Sequence, residues 1–273
     1  MLRYPVLFVA AGAVAAVATV VAWAGSSAKI QPPANIAKAG KIVWCTDATY
    51  PPEEYFKGST PIGSDIDIAA GVSALIGVKA QIKNTTFDSI IASLLSKKCD
   101  AIISGMNDTA ERRKQVDFVD YLAVGQAIMV KKGNPKHIYS LAALAGKRIS
   151  VESGTTNRDF LAAQSKKLVA KGQKAITIVT FPKDTDAFAA LKAGRVDGYF
   201  ADAPPVAYYA KQDSSVQIGL SPVAPIPIGI AIRKHNPLRA AVQKAINTMY
   251  ANGSMRRILA KWGMSKAAQL LKK

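Results

Sequence analysis

Two residues of opposite charge define the chemistry open to this chain. Arg112 lies in the run Asp100 to Asp120, DAIISGMNDTAERRKQVDFVD, and Asp202 closes the run Ala189 to Asp202, AALKAGRVDGYFAD. In the first run a short apolar strand stops at Ser104-Gly105, and Asp108 or Thr109 is suited to cap the turn that carries Glu111 and Arg112. Ligands of open α/β sheets sit just beyond the carboxyl ends of strands. The planar fork of the Arg112 guanidinium is therefore placed to grip a small anionic group, a carboxylate above all. Taken alone, the segment reads first as a solvated arginine in a charged turn, the commoner case.

The second run changes that balance. Ser93 to Gly105, SLLSKKCDAIISG, and Ala189 to Asp202 share one plan: a helix end, a basic turn, an aspartate, an apolar strand and a polar residue. A helix-turn-strand unit built twice, about ninety residues apart, points to two similar α/β lobes rather than one large sheet. If the lobes face each other, Arg112 and Asp202 bracket a cleft and suit a zwitterion, whose carboxylate pairs with one and whose ammonium pairs with the other.

Further candidates sit where strands give way to loops. Asp47 and Tyr50 follow the first strand in TDATYPP, where Pro51-Pro52 stiffens the loop. Phe87 opens a helix after the second strand and suits either a core plug or a ligand wall. Ser153-Gly154-Thr155-Thr156 follows a strand and starts a helix, so its amides and dipole favour an anion; an ordinary capped helix start is the plain alternative.

The elements that position these residues are legible as periodic runs. Strands are expected at 41–46, 78–83, 100–104, 148–152, 176–181 and 196–200, and helices at 66–75, 88–96, 140–144, from 156, and at 185–193, 204–211, 237–251 and 254–262. Gly125 to Lys131 is extended and ends in the turn Lys132-Gly133-Asn134-Pro135, which suits a first crossing between lobes. Pro222 to Pro227 is too proline-rich for a central strand and suits a second crossing. The expected order is a signal peptide at 1–24, a flexible lead-in at 25–40, a first lobe at 41–126, a second lobe at 127–223, and a return to the first lobe at 224–273. Two crossings permit hinge closure.

Residues 1–24 are set apart by Arg3, an apolar run from Val6 to Val21 and the small-residue site Ala22-Trp23-Ala24, which together read as a cleaved secretory signal. An uncleaved anchor is the competing reading, since Val6 to Ala24 is nearly long enough to span a bilayer. The remainder has an ordinary soluble composition: 49% of the whole sequence is hydrophobic and 20% charged. Lys and Arg number 36 against 18 Asp and Glu, a net charge of +18. The basic residues are scattered doublets such as Lys97-Lys98 and Arg256-Arg257, without a stripe of interleaved stacking aromatics, so nucleic-acid binding is not expected. Two cysteines in an exported chain suggest a disulfide. If their strands are parallel neighbours, however, Cys45 lies at a carboxyl end and Cys99 at an amino end, beyond the roughly 7 Å limit for bridging α-carbons, and two buried thiols are expected. His137 and His235 have no ligand-spaced partners, and no phosphate loop or GxSxG occurs. No metal, cofactor or catalytic nucleophile is expected.

The ordered set CTDATYPPEEY, GSDIDIA, FDSIIASLL, DAIISGMNDTAERRKQVDF, GKRISVESGTTNRDF, GRVDGYFADAPPVAYYAKQ, IGIAIRK and MRRILAKWG resembles the family 3 periplasmic solute-binding proteins of polar amino acid ABC transporters, from Lys41 to Gly263. The resemblance implies a type II periplasmic binding protein fold: two mostly parallel sheets flanked by helices, joined by two hinge crossings. It implies a monomer that closes over an L-amino acid and presents it to a membrane permease. By the same resemblance, Arg112, Thr155 and Thr156 take the carboxylate, and Asp202 takes the amine. Ser104 and Gly105 add contacts, while Tyr50 and Phe87 sandwich the ligand's side chain. Asn107 stands where the family usually has Thr or Ser, and Ala110 where it commonly has Pro. Glu152, at a position that varies with preference, together with Asp47 and the further candidate Glu54, would make the side-chain end acidic and suit Arg, Lys, ornithine, His or Gln. A dehydratase of cyclic carboxylates is the alternative on the same fold, with Asp47, Glu152 and Asp202 as acid and base.

Overall fold

A computed structural model describes residues 30–271 of the 273-residue chain. The apolar run assigned to a signal lies outside the described residues. In chain order the elements of the first part are helix α1 (Ala34–Ala39), strand β1 (Lys41–Thr46) and a three-stranded ribbon of β2 (Thr49–Tyr50), β3 (Glu54–Lys57) and β4 (Thr60–Ile62). Helix α2 (Ser64–Ile76), β5 (Lys79–Asn84), α3 (Ile90–Leu95), β6 (Ala101–Ile102) and α4 (Ala110–Arg113) follow. The long strand β7 (Val116–Lys131) then leads to β8 (Arg148–Glu152), α5 (Thr156–Ala170), β9 (Thr177–Phe181), α6 (Asp184–Lys192), β10 (Gly198–Asp202) and α7 (Ala203–Gln212). A second long strand, β11 (Val216–Arg233), returns to α8 (Leu238–Ala251), α9 (Ser254–Lys261) and β12 (Ala268–Gln269).

Local sequence explains these elements. On α2, Ile68, Ala69, Val72 and Ile76 recur at helical spacing and are all fully buried, while Asp65 and Asp67 occupy the first turn. On α4, Thr109 rather than Asp108 is the cap: its hydroxyl accepts the Arg112 N–H at 3.2 Å. Asp108 instead pairs with the exposed Arg113. The adjacent arginines of this turn are thereby separated, Arg113 outward and Arg112 inward.

Strand order runs β5-β1-β6-β11-β7-β10-β8-β9. β1 pairs in parallel with β5 and β6, and β8 pairs in parallel with β9 and β10, while β7 and β11 run antiparallel to each other through the whole molecule. One pair of apolar cores lies around β1, β6 and the returning end of β11, built on Trp44, Tyr121 and Ile230 and on Cys45, Ile90 and Met106. A second pair lies around β8 and β10, built on Tyr199, Phe188 and Val206 and on Ile149, Leu161 and Phe200. The molecule is therefore a two-lobed α/β structure crossed twice by one antiparallel ribbon.

Two expectations are corrected, and the second crossing takes a defined form. Over Pro222 to Pro227 the chain remains strand: β11 spans Val216–Arg233, with register shifts between Leu220 and Val223 and between Val223 and Ile226. Its far end, Ala231 and Ile232, also pairs with β6, and the Pro227 carbonyl accepts the Asp108 N–H at 3.0 Å, while Pro222 and Pro225 lie where the register with β7 shifts and bulges absorb their missing donors. The lead-in is structured from Ile30: residues 34–39 are helical, and Ile30 and Ile36 are buried in the first core. Cys45 and Cys99 form a disulfide with α-carbons 5.8 Å apart. β6 is shorter than expected, and the Asp100 carboxylate and amide both bond the Val43 backbone, drawing the chain at Cys99 back alongside β1. The bridge closes a sequence separation of 54 residues and lies at 0% and 2% exposure.

Replacing both cysteines by alanine is expected to cost about 4 kcal/mol through the denatured chain's regained freedom. Urea titration reads this as a lowered midpoint. An unchanged midpoint, with wild-type melting insensitive to reductant, would contradict the bridge.

Candidate functional site

The sequence-derived residues converge on the carboxyl ends of the parallel strands. Asp47 follows β1, Phe87 follows β5, and Ser104 and Gly105 follow β6; Glu152 ends β8, Thr155 and Thr156 open α5, and Asp202 ends β10. This is the edge at which open α/β sheets receive ligands. Asp47, Tyr50, Ser104, Asn107, Glu152, Thr155 and Asp202 are all buried.

The two lobes touch through these same groups. The Arg112 guanidinium donates to the Asn107 carbonyl at 2.8 Å in its own lobe and to the Gly154 carbonyl at 3.1 Å in the other, with its carbon 5.3 Å from the Phe87 ring centre. Two main-chain acceptors therefore orient the fork while leaving donors over. Thr156 donates to the Asn107 side-chain oxygen at 2.6 Å and accepts from Gln126 at 2.9 Å. The Tyr50 hydroxyl accepts the Asp202 N–H at 2.9 Å, so Tyr50 packs into the second lobe's core rather than only over the cleft. Gly154 meets the first lobe so closely that a Cβ there would lie 2.9 Å from the Asp88 α-carbon. Thr155 caps its own helix, accepting from Arg158 N–H and donating to the Glu152 carbonyl.

The electrostatics are dominated by buried acids. Asp202 is pushed up to about 6, chiefly by burial, with bonds from Asn157 and Gln126 and the field of Arg112 opposing. Asp184 is pushed up to about 8 by burial, with both oxygens accepting from the Tyr199 hydroxyl as partial relief. Burial also raises Asp47, which accepts from the Phe87 N–H at 2.7 Å, and raises Glu152 strongly among Asp184, Asp47, Asp202 and Asp88. Behind Ser104, burial beside Asp65 and Glu53 raises Glu54 strongly, and Asp65, pushed up to about 6 by burial, accepts from Gly105 N–H and the Tyr121 hydroxyl. Ser104 donates to Glu54 and accepts from the Asp47 N–H. Against these acids the site sets the half-buried guanidinium of Arg112, itself eased down by partial desolvation.

Glu54 thus supports Ser104 from behind, while Glu53, Asp184, Asn157 and Gln126 are residues of this cluster that the sequence did not single out. An acidic pair after two prolines and an aspartate at a helix start are ordinarily solvated, so their types carried no signal. Among the described residues no group of three or more His, Cys, Asp or Glu could hold a metal ion. What the arrangement offers a ligand is one anion-gripping fork and a wall of carboxyls that can donate when neutral or accept when ionised.

A carboxyl whose folded pKa exceeds its unfolded value binds more protons folded than unfolded between the two. Stability therefore falls as pH rises through that window. The melting temperature of the ligand-free protein is expected to drop between about pH 4 and pH 8, the alkaline part of the window being set by Asp184. Asp184→Asn should flatten that alkaline part in calorimetric scans. A slope identical to wild type would contradict burial of the acid.

With this geometry, the likenesses to known proteins are specific. The family model of bacterial extracellular solute-binding proteins, family 3, matches residues 42–265. The ABC transporter arginine-binding protein 1 of Escherichia coli (strain K12) is 33% identical over 232 residues, covering 82% of this chain and 91% of that one. The solved structure of an ancestral arginine-binding protein bound to arginine is 37% identical, covers 82% of this chain and 98% of its own, and superposes with a TM-score of 0.76. An ancestral amino acid-binding protein described as a precursor of cyclohexadienyl dehydratase is 34% identical, with coverages of 84% and 97% and a TM-score of 0.76. Each of these spans nearly the whole partner, at an identity well above what fold likeness alone would give. The chain belongs to the bacterial extracellular solute-binding proteins of family 3.

Proposed function

We propose that this protein is an extracytoplasmic receptor that closes two lobes around one L-amino acid and presents the closed form to the permease of an ABC importer. The ligand is polar or basic, with arginine, lysine, ornithine, histidine and glutamine as the candidates. Residues 41–126 with 224–273 form one jaw and 127–223 the other. The working form is a monomer in the periplasm, exported by a signal cleaved after residue 24.

The observation that carries this reading is the pairing of Arg112 with the Gly154 carbonyl across the lobes, on the same cleft edge as the buried Asp202 carboxyl. A guanidinium fork and an acid set on opposite jaws match the two charged ends of an amino acid, and each needs a partner when water is excluded. Arg112 and Thr156 would hold the carboxylate and Asp202 the ammonium. Ser104, Gly105 and Asn107 would supply hydrogen bonds. Tyr50 and Phe87 would flank the side chain, with Asp47 and Glu152 at its end. The ligand shifts the open-closed equilibrium because only the closed form satisfies both ends at once. The relatives named above as arginine-binding support this choice of ligand class.

Catalysis is not part of this proposal. A dehydratase would need a proton donor, for which Glu152, its pKa raised strongly by burial, is the candidate, and the likeness to an ancestral precursor of a cyclohexadienyl dehydratase gives that alternative its footing. Incubation with cyclic carboxylates, with product followed by chromatography, distinguishes it from binding alone.

Arg112→Ala and Asp202→Ala each strand one charged end of the ligand and should weaken binding by about 2–5 kcal/mol. Isothermal titration with the best ligand from a thermal-shift screen of the amino acids, ornithine and citrulline measures this. Wild-type affinity in either variant would end the assignment of that residue.

A further inference from the structure

Glu53 is fully buried, and neither of its carboxyl oxygens has a hydrogen-bond partner among the described residues. Its position is fixed by backbone. The Glu53 carbonyl accepts the Asp65 N–H at 2.9 Å, and Gly63 presses against it so closely that a Cβ there would fall 1.9 Å from the same oxygen. The side chain points at the cleft wall: Glu53 Oε1 lies 3.9 Å from the position a Cβ on Gly105 would take, a point that also lies 3.4 Å from the Tyr50 ring. The charged groups that act on it are Asp65 from α2, Asp202 from the end of β10 and Asp184 from α6, and all are acidic.

Only its own backbone eases the burial of this carboxyl, no side chain donates to it, and an apolar side chain of similar size would fill this place without that penalty. Three like-charged neighbours add to the cost of ionisation. An ammonium or guanidinium brought between the lobes supplies the missing donors and the missing positive charge together.

We propose that Glu53 is a specificity-determining residue that recognises a cationic group of the ligand, so that the substrate class of this receptor is the basic amino acids. This inference rests on the amino-acid receptor proposed above and narrows it. Glu53 stands on the Gly105 and Tyr50 wall, so it complements Asp47 and Glu152, which follow β1 and β8.

The test is calorimetric titration of the purified protein with L-arginine, L-lysine and L-ornithine against the neutral L-citrulline and L-glutamine, in wild type and in Glu53→Gln. Wild type is expected to prefer the best basic ligand over citrulline by at least tenfold. Glu53→Gln keeps the shape and removes the charge; it should weaken that basic ligand at least tenfold while citrulline and glutamine change less than threefold. Glu53→Asp, which keeps a carboxyl, should retain a preference for the basic ligand even if the Gln variant folds poorly. Equal weakening of every ligand in Glu53→Gln would assign Glu53 a purely structural role and overturn the inference. An unchanged basic-to-neutral ratio, or a wild type that prefers neutral ligands, would overturn it too while leaving the receptor intact. A wild type that binds no amino acid at all would overturn the receptor proposal itself.

Discussion

The structure depends on the cost of burying charge. Where the lobes meet, Asp47, Glu53, Glu152, Asp184 and Asp202 are withdrawn from water, with the half-buried Arg112 as their counter-charge. Isolated ions cannot be held there, so the acids are bonded by hydroxyls and amides, kept neutral, or left waiting for a positive partner. The tyrosines around them serve this purpose: Tyr199 satisfies Asp184, Tyr121 satisfies Asp65, and Tyr50 ties its hydroxyl to the backbone of Asp202 in the opposite lobe.

That view also explains why Arg112 is more than a charged turn residue. Its exposed neighbour Arg113 pairs with Asp108, whose side chain is shielded from water. Arg112 instead lies against Phe87 and reaches a carbonyl of the other lobe. Adjacent residues of one type hold different roles because a four-residue helix capped by Thr109 turns one inward.

Much of this was legible in the sequence, and the parts that were not share a cause. Strands β1, β8 and β9 and helices α2, α6, α7 and α8 follow from apolar periodicity with glycine or proline stops, which are local signals. The carboxyl-end position of Asp47, Ser104, Glu152 and Asp202 follows from strand boundaries, so their convergence could be anticipated. The disulfide could not, because it depends on how the chain before β6 bends back along β1, a long-range matter. The proline-bearing stretch was legible as a crossing, because proline is confined to sheet edges and bulges and most of β11 has a neighbour on one side only. Glu53 and Asp184 were passed over for a related reason: residue type says that acids prefer water, and only the assembled lobes show these two excluded from it.

The double crossing by β7 and β11 has a further consequence. Everything from β8 to α7 lies between the two crossings as one uninterrupted stretch of chain, while the other lobe needs segments from both ends, Trp44 packing in the same core as Val242 and Leu259. During synthesis and export the enclosed lobe can therefore assemble from consecutive residues, and its partner must wait for α8 and α9. Completion of the first lobe is in this way tied to its last helices, whereas every element from β8 to α7 precedes the return of β11.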